Sequence, residues 1–180
     1  MHPFDWTTTA SKTLIQNEWL TLHEDTCEMP DGTEIAPYYT MHYPDWVNIV
    51  ALTPDREVVM INQYRHGTET VELEIPGGMM DPGDTDPVAT ALRELQEETG
   101  YTGENARPIG ECFANPAIMN NRVHTVLVEN CRLTHEVQLD DGEDLATHLV
   151  PAADLPRLVK EQKIQHSTIV AALHYFALER

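Results

Sequence analysis

The sequence predicts a mixed α/β sandwich. Three observations carry that reading. Short apolar or alternating segments lie on both sides of one internal amphipathic helix, a second helix closes the chain, and the order of elements is not the regular strand–helix–strand repeat of a doubly wound sheet. A chain of 180 residues suits one domain with a small N-terminal extension. Its 41% apolar content supplies a core, which the 7% aromatic content makes mainly aliphatic.

The elements follow in order. Trp19 to Met29 alternates in part, Pro30-Asp31-Gly32-Thr33 is a turn, and Glu34 to His42 returns, which predicts a hairpin at the edge of the domain. Val47 to Thr53 is an apolar strand, Pro54-Asp55-Arg56-Glu57 a turn, and Val58 to Arg65 the next strand. Val71 to Ile75 is a short strand running into Pro76-Gly77-Gly78. Asp86-Pro87 pairs a capping residue with proline at the first helical position, and Gly100 is a favoured helix stop, so helix is predicted from Pro87 to Thr99. Strands are expected at Ala106 to Phe113, Arg122 to Val128 and Leu145 to Val150. Pro151 to Lys160 reads as a short helix and Ser167 to Leu178 as the closing one.

Thirty acids against eleven Lys and Arg give a formal charge of −19. With no basic run, the chain lacks the clustered cations that nucleic-acid polymers and anionic membranes require, and neither is expected as a partner. A small anionic substrate stays open if metal ions screen the acids. Cys27, Cys112 and Cys131 are odd in number, far apart and without a CxxC pair. They read as reduced thiols of a cytoplasmic protein, and no signal-peptide or membrane-spanning pattern is visible.

The chemistry concentrates in Gly77 to Tyr101. At about 100° per residue, Glu94, Glu97 and Glu98 share one helix face, while Val88, Leu92, Leu95 and Thr99 gather in an apolar stripe placed roughly opposite. A solvated acidic face is the plain alternative, because like charges at this spacing cost only about 0.2–0.5 kcal/mol per pair. The context favours chemistry instead. A double glycine after a strand lets backbone approach an ion or phosphate closely, and clustered carboxylates suit hard divalent cations.

This segment resembles the Nudix box: a glycine, five residues, a glutamate, seven residues, then Arg-Glu-aliphatic-x-Glu-Glu-x-Gly-aliphatic. Arg93-Glu94-Leu95-Gln96-Glu97-Glu98-Thr99-Gly100 matches the second half and Gly78 the opening glycine. The first half departs, with Asp84 where the first glutamate is expected and a gap to Arg93 one residue longer. The resemblance implies an α/β/α sandwich of Nudix type with a mixed sheet. It also implies metal ligands at Glu94 and Glu98, with Glu97 a further ligand or just behind them, and the Gly77 carbonyl completing a site. Arg93 would orient the glutamates. Mg²⁺ is the expected cofactor, with Mn²⁺ as the alternative.

Flanking residues resemble the ADP-ribose and nucleoside diphosphate sugar pyrophosphatase branch. They are Gln63-Tyr64-Arg65, then Leu73-Glu74-Ile75-Pro76-Gly77-Gly78, and Pro116 downstream. The branch implies that Arg65 contacts substrate as a forked donor, with a surface ion pair as its ordinary alternative. It implies Asn115 at the terminal ribose, where a plain turn residue serves equally. It implies a base in the acidic stretch Asp140 to Leu145, where Glu143 fits best and Asp144 next. Trp46, with Trp19 behind it, is the candidate to stack on the base, against the ordinary role of a tryptophan as core area. Residues 1–44 resemble the extension through which this branch forms homodimers, leaving 45–180 as the hydrolase domain. The expected reaction splits ADP-ribose or a related nucleoside diphosphate sugar into a nucleoside monophosphate and a sugar phosphate, with Glu97, Glu98 and Glu143 as catalytic residues. The alternatives are a nucleoside triphosphate or dinucleoside polyphosphate pyrophosphatase, and a non-catalytic ADP-ribose-binding sensor.

Overall fold

The computed structural model describes residues 4–139, 142 and 144–179. The chain folds as two compact units, one of Met1–Pro44 with Phe113–Arg122, the other of Asp45–Cys112 with Val123–Arg180.

The first unit carries a three-stranded antiparallel sheet in the order β1-β2-β3, with β1 at Thr7–Gln16, β2 at Thr21–Glu28 and β3 at Glu34–His42. The expected hairpin is therefore two strands of three. β1 escapes a periodicity search because all ten of its residues are exposed, so no apolar alternation marks it. Asn17 shapes the β1–β2 turn by accepting the backbone N–H groups of Trp19 and Leu20. In the 113–122 segment of this unit, the Asn115 carbonyl accepts the N–H groups of Ile118 and Met119.

The second unit is the sandwich. One sheet runs β10-β5-β6, antiparallel throughout, with β5 at Glu57–Arg65, β6 at Thr70–Glu74 and β10 at Leu145–Pro151. The other runs β7-β4-β9-β8, with β4 at Trp46–Ala51, β7 at Gly77–Met79, β8 at Tyr101–Phe113 and β9 at Arg122–Leu133. This sheet is mixed, because β4 pairs antiparallel with β7 and parallel with β9.

The near-continuous apolar run of β4 is explained by burial on both faces. Val47, Ile49 and Ala51 pack with Val126 and Val128 of β9 against Ala91 and Leu95 of α1, the helix at Pro87–Thr99. Val50 and Leu52 pack with Val58 and Met60 of β5 on the other side. There they meet Leu155 of α2 (Leu155–Lys160) and Ile169, Ala172, Leu173 and Phe176 of α3 (Ser167–Leu178). Helix, strands, helices is the α/β/α layering that the sequence predicts.

Two further departures have local causes. β7 is only three residues long and glycine-rich, below what alternation can reveal. β8 begins at Tyr101 and β9 reaches Leu133, both longer than expected, because polar residues such as Glu104, Asn105 and Glu129 interrupt the apolar pattern while the backbone stays paired. No helix among the described residues is long and apolar enough to cross a membrane. All three cysteines are free thiols, and burial pushes the Cys131 pKa up to about 12.

Candidate active site

Helix α1 begins and ends as its sequence dictates. The Asp86 side chain accepts the Val88 N–H at 2.9 Å and Pro87 opens the helix. Gly100 ends it at φ 73°, where a side chain would collide with the His135 carbonyl oxygen. The last-turn carbonyls are satisfied from a later segment: Gln138 N–H donates to the Glu97 carbonyl at 2.8 Å, and Thr134 and His135 N–H groups donate to that of Gly100. The chain leading into the acidic stretch after residue 139 is thus fastened to the glutamate helix.

The buried stripe of α1 is centred differently from the expected one. Ala91, Leu95 and Thr99 are buried and Val88 packs beside them, but Leu92 is exposed. Leu95, fully buried, supplies about 1.5–3 kcal/mol. Glu98 is also buried, at 3% exposure, so the carboxylates border the apolar stripe instead of opposing it. They form a gradient: Glu98 lies deepest, Glu94 next at 13% side-chain exposure, and Glu97 is outermost at 40%.

The glycine pair explains how charged groups sit so deep. The Gly77 N–H donates to Glu98 Oε2 at 3.0 Å. A side chain on Gly77 would strike the Val47 carbonyl oxygen of β4. A Cβ on Gly78 would fall 2.5–2.7 Å from the Glu94 carboxylate atoms. The double glycine is therefore a cradle for two glutamates, which only hydrogen side chains permit. Arg93 bridges the outer pair, with Nη2 2.9 Å from Glu94 Oε1 and Nη1 2.9 Å from Glu97 Oε2. Burial works against its charge, but Glu94, Glu97 and Asp81 hold its pKa above the ordinary arginine value. Asp84 accepts the Asp81 N–H and the Thr90 hydroxyl, which ties the turn to the helix.

Among the described residues no three His, Cys, Asp or Glu side chains converge as a ready-made metal cage. Arg93 and the Gly77 N–H hold the glutamates where they stand. The donor set nevertheless suits a hard divalent cation. It is all oxygen, it comes from one helix face, and the glycine cradle keeps Cβ atoms out of the space beside Glu94.

Arg65, at the end of β5, lies on a buried carboxylate. Its Nη2 is 2.5 Å from Glu74 Oε2 and its Nε donates to Oε1 at 3.3 Å. Glu74 is only 1% exposed and also takes a contact from His166 Nδ1 at 2.8 Å. Arg65, Glu74, His166, Thr68, Thr70 and Glu72 line a cavity of about 510 Å³. Glu74 enters the sequence reading only within the stretch Leu73-Glu74-Ile75-Pro76-Gly77-Gly78 and is given no role of its own there. Its position between Leu73 and Ile75 was the available signal, whereas His166, 92 residues away, had none. Burial pushes the Glu74 carboxyl up, but hydrogen bonds from His166 and Arg65 outweigh it and hold the pKa below the ordinary value. A depressed carboxylate stabilises the fold above its unfolded pKa and loses that effect as pH falls through the folded one. Denaturant titrations should therefore show wild type losing more stability than Glu74→Gln below about pH 4.3, the ordinary glutamate value. Parallel curves would remove Glu74 from the acid response.

The remaining expected residues belong to both units. Trp46 is half-buried at the start of β4, opposite Met79 of β7. Trp19 is 60% exposed, and Asn115 is exposed in the other unit. Glu143 lies outside the described residues.

A family model described as the NUDIX domain matches residues 42–173. The chain belongs to the Nudix family. It is a hydrolase of the Nudix pyrophosphatase type, and β7 and α1 lie inside the matched segment. Residues 6–41 of this Nudix hydrolase match a second model, described as the nucleoside diphosphate sugar hydrolase N-terminal domain. An ADP-ribose pyrophosphatase of Bacillus subtilis (strain 168) is 29% identical over 96% of this chain and 92% of its own length. A methanol dehydrogenase activator of Bacillus methanolicus is 28% identical over 98% and 95%. A crystal structure of an ADP compounds hydrolase superposes with a TM-score of 0.84, covering 96% of this chain and 92% of that one at 23% identity, which speaks for the fold.

Proposed function

We propose that this Nudix hydrolase adds water across the pyrophosphate bond of ADP-ribose or a related nucleoside diphosphate sugar, giving a nucleoside monophosphate and a sugar phosphate. The observation that carries this reading is the N-terminal match to a nucleoside diphosphate sugar hydrolase model, continuous with the Nudix match that follows it. The ADP-ribose pyrophosphatase relative, aligned over nearly all of both chains, supports it.

Glu94 and Glu98 would hold Mg²⁺ (Mn²⁺ as the alternative), with Glu97 and the Gly77 carbonyl as further ligands. Such an ion supplies charge neutralisation at the diphosphate and acidifies a bound water. Arg93 keeps Glu94 and Glu97 in place. Arg65 binds a diphosphate oxygen, Trp46 stacks on the base, and Asn115 contacts the distal ribose. Glu143 takes the proton of the attacking water, with Asp144 as second choice. Of the described residues near it in sequence, Gln138 donates to the Glu97 carbonyl and Leu145 pairs with Gln63.

Residues 1–44 act as a dimerisation element beside the 45–180 hydrolase domain. The fully exposed β1, with Leu14 and Ile15 at its end, is a surface for a second copy. The free thiols fit a cytoplasmic setting. The test is a Mg²⁺-supplemented panel of ADP-ribose, other nucleotide sugars, dinucleoside polyphosphates and triphosphates with products identified. Nucleotide sugars should turn over fastest, releasing monophosphates in pairs. Turnover of triphosphates alone would overturn the assignment.

A further inference from the structure

On β6, strand alternation puts Thr70, Glu72 and Glu74 on one face, paired across the ladder with Arg65, Gln63 and Ile61 of β5. The three β6 residues line the cavity of about 510 Å³ together with Arg65, Thr68 and His166. Small-ligand pockets span about 300–1,000 Å³, so the space suits one sugar ring with a neighbouring group. Glu74 is fully engaged there: its two oxygens take Arg65 Nη2 at 2.5 Å, Arg65 Nε at 3.3 Å and His166 Nδ1 at 2.8 Å. The guanidinium keeps Nη1, which makes no hydrogen bond among the described residues.

Glu72 is placed differently. It is half-buried, its Oε1 accepts the Thr70 hydroxyl at 2.6 Å, and its Oε2 makes no hydrogen bond among the described residues. Thr68 Oγ1 lies 2.6 Å from Thr70 Oγ1. A hydroxyl has one hydrogen to give, and a carboxylate only accepts. The Thr70 hydrogen therefore goes to Glu72, and Thr68 is the donor of the hydroxyl pair. Both hydrogens are directed along the chain toward the carboxylate. What the chain leaves for a ligand is acceptor capacity, on Glu72 Oε2 and on the hydroxyl oxygens. A phosphoryl group would find a donor at Arg65 and repulsion at Glu72, whereas a sugar hydroxyl finds its acceptor there.

We propose that this cavity holds a ribose ring of the substrate, with a hydroxyl of its cis-diol donating to Glu72 Oε2 and the attached diphosphate meeting Arg65 Nη1. Glu72 is then a specificity-determining residue for a hydroxylated sugar. The inference rests on the reading of the chain as a nucleoside diphosphate sugar hydrolase. ADP-ribose carries two such diols, one on the nucleoside ring and one on the distal ring, and their chemistry is shared.

Glu72→Ala should raise KM for ADP-ribose about tenfold, the size of one lost hydrogen bond to a charged group, with kcat within about threefold. Four analogues then locate the contact, each lacking the 2′- or 3′-hydroxyl of the nucleoside ribose or the 2″- or 3″-hydroxyl of the distal one. On at least one of them wild type should lose about tenfold in KM, and Glu72→Ala should add less than about twofold to that loss. The analogue on which the penalty vanishes names the ring. A residue that only supports the fold would keep its tenfold penalty on all four, and that result overturns the proposal. An unchanged KM for ADP-ribose in Glu72→Ala overturns it as well.

Calorimetry with methylene-bridged ADP-ribose, which is not hydrolysed, separates this inference from the functional reading. Glu72→Ala should bind the analogue about tenfold more weakly than wild type. Equal binding by the two proteins strikes the inference and leaves the function standing. A wild type that neither binds the analogue nor turns over any nucleotide sugar strikes the functional reading, and the inference with it.

Discussion

Glu98→Gln should leave the protein folded and lower kcat by about 10²–10⁴-fold. The substitution is close to isosteric. The glutamine carbonyl can still accept the Gly77 N–H that anchors Glu98 at 3.0 Å, so the β7–α1 contact survives. What disappears is the negative charge at the deepest point of the carboxylate gradient. Circular dichroism would register little, since the side chain keeps its volume and no cavity is opened. Initial rates on the best substrate of the panel would register nearly everything. A variant that kept wild-type turnover would remove the α1 glutamates from the mechanism.

The second large effect separates two adjacent glycines. In Gly77→Ala the new Cβ meets the Val47 carbonyl oxygen and lies 3.2 Å from Asn48 Cα, both backbone atoms of the central strand β4. Neither can move without parting the β4–β7 ladder, where Asn48 pairs with Gly77 and Val47 with Gly78. Overpacking of that kind costs about 1–3 kcal/mol or more, which for a chain of this size lowers Tm by about 2–12 °C. In Gly78→Ala the obstacle is the Glu94 carboxylate, the mobile end of a side chain. Stability should fall much less, while kcat drops about 10²-fold as Glu94 is pushed aside. Calorimetry and initial rates on the two variants give the comparison. Equal losses of stability, or a Gly78→Ala enzyme with wild-type kcat, would mean that the cradle does not position Glu94.

The same residues show why some of this was legible in the sequence and some was not. Helix α1 was readable to both ends because its signals are local: Asp86 and Pro87 at the start, Gly100 at the stop. The layering was readable because β4 is apolar on two faces, which a strand between helices must be. Leu92 misled because a wheel drawn on hydrophobicity alone counts a leucine as core. The position of β4 and β9 turns the helix so that Ala91 and Glu98 are covered instead. β1 was invisible since backbone pairing to β2 defines it and its side chains are all exposed. Arg65 was found as a residue, but its setting was not. It pairs with the buried Glu74 and lines a cavity. Its partners come from β6 and from the start of α3, and only tertiary structure brings His166 to Glu74.

The central claim is that one helix face collects divalent cations for a bound diphosphate. Anomalous scattering from crystals grown with Mn²⁺ and a non-hydrolysable ADP-ribose analogue tests it most directly. The account predicts a manganese peak within about 2.0–2.6 Å of Glu94 and Glu98 carboxylate oxygens, in contact with the analogue's diphosphate. An ordered analogue with no ion beside Glu94, Glu97 or Glu98 would contradict it.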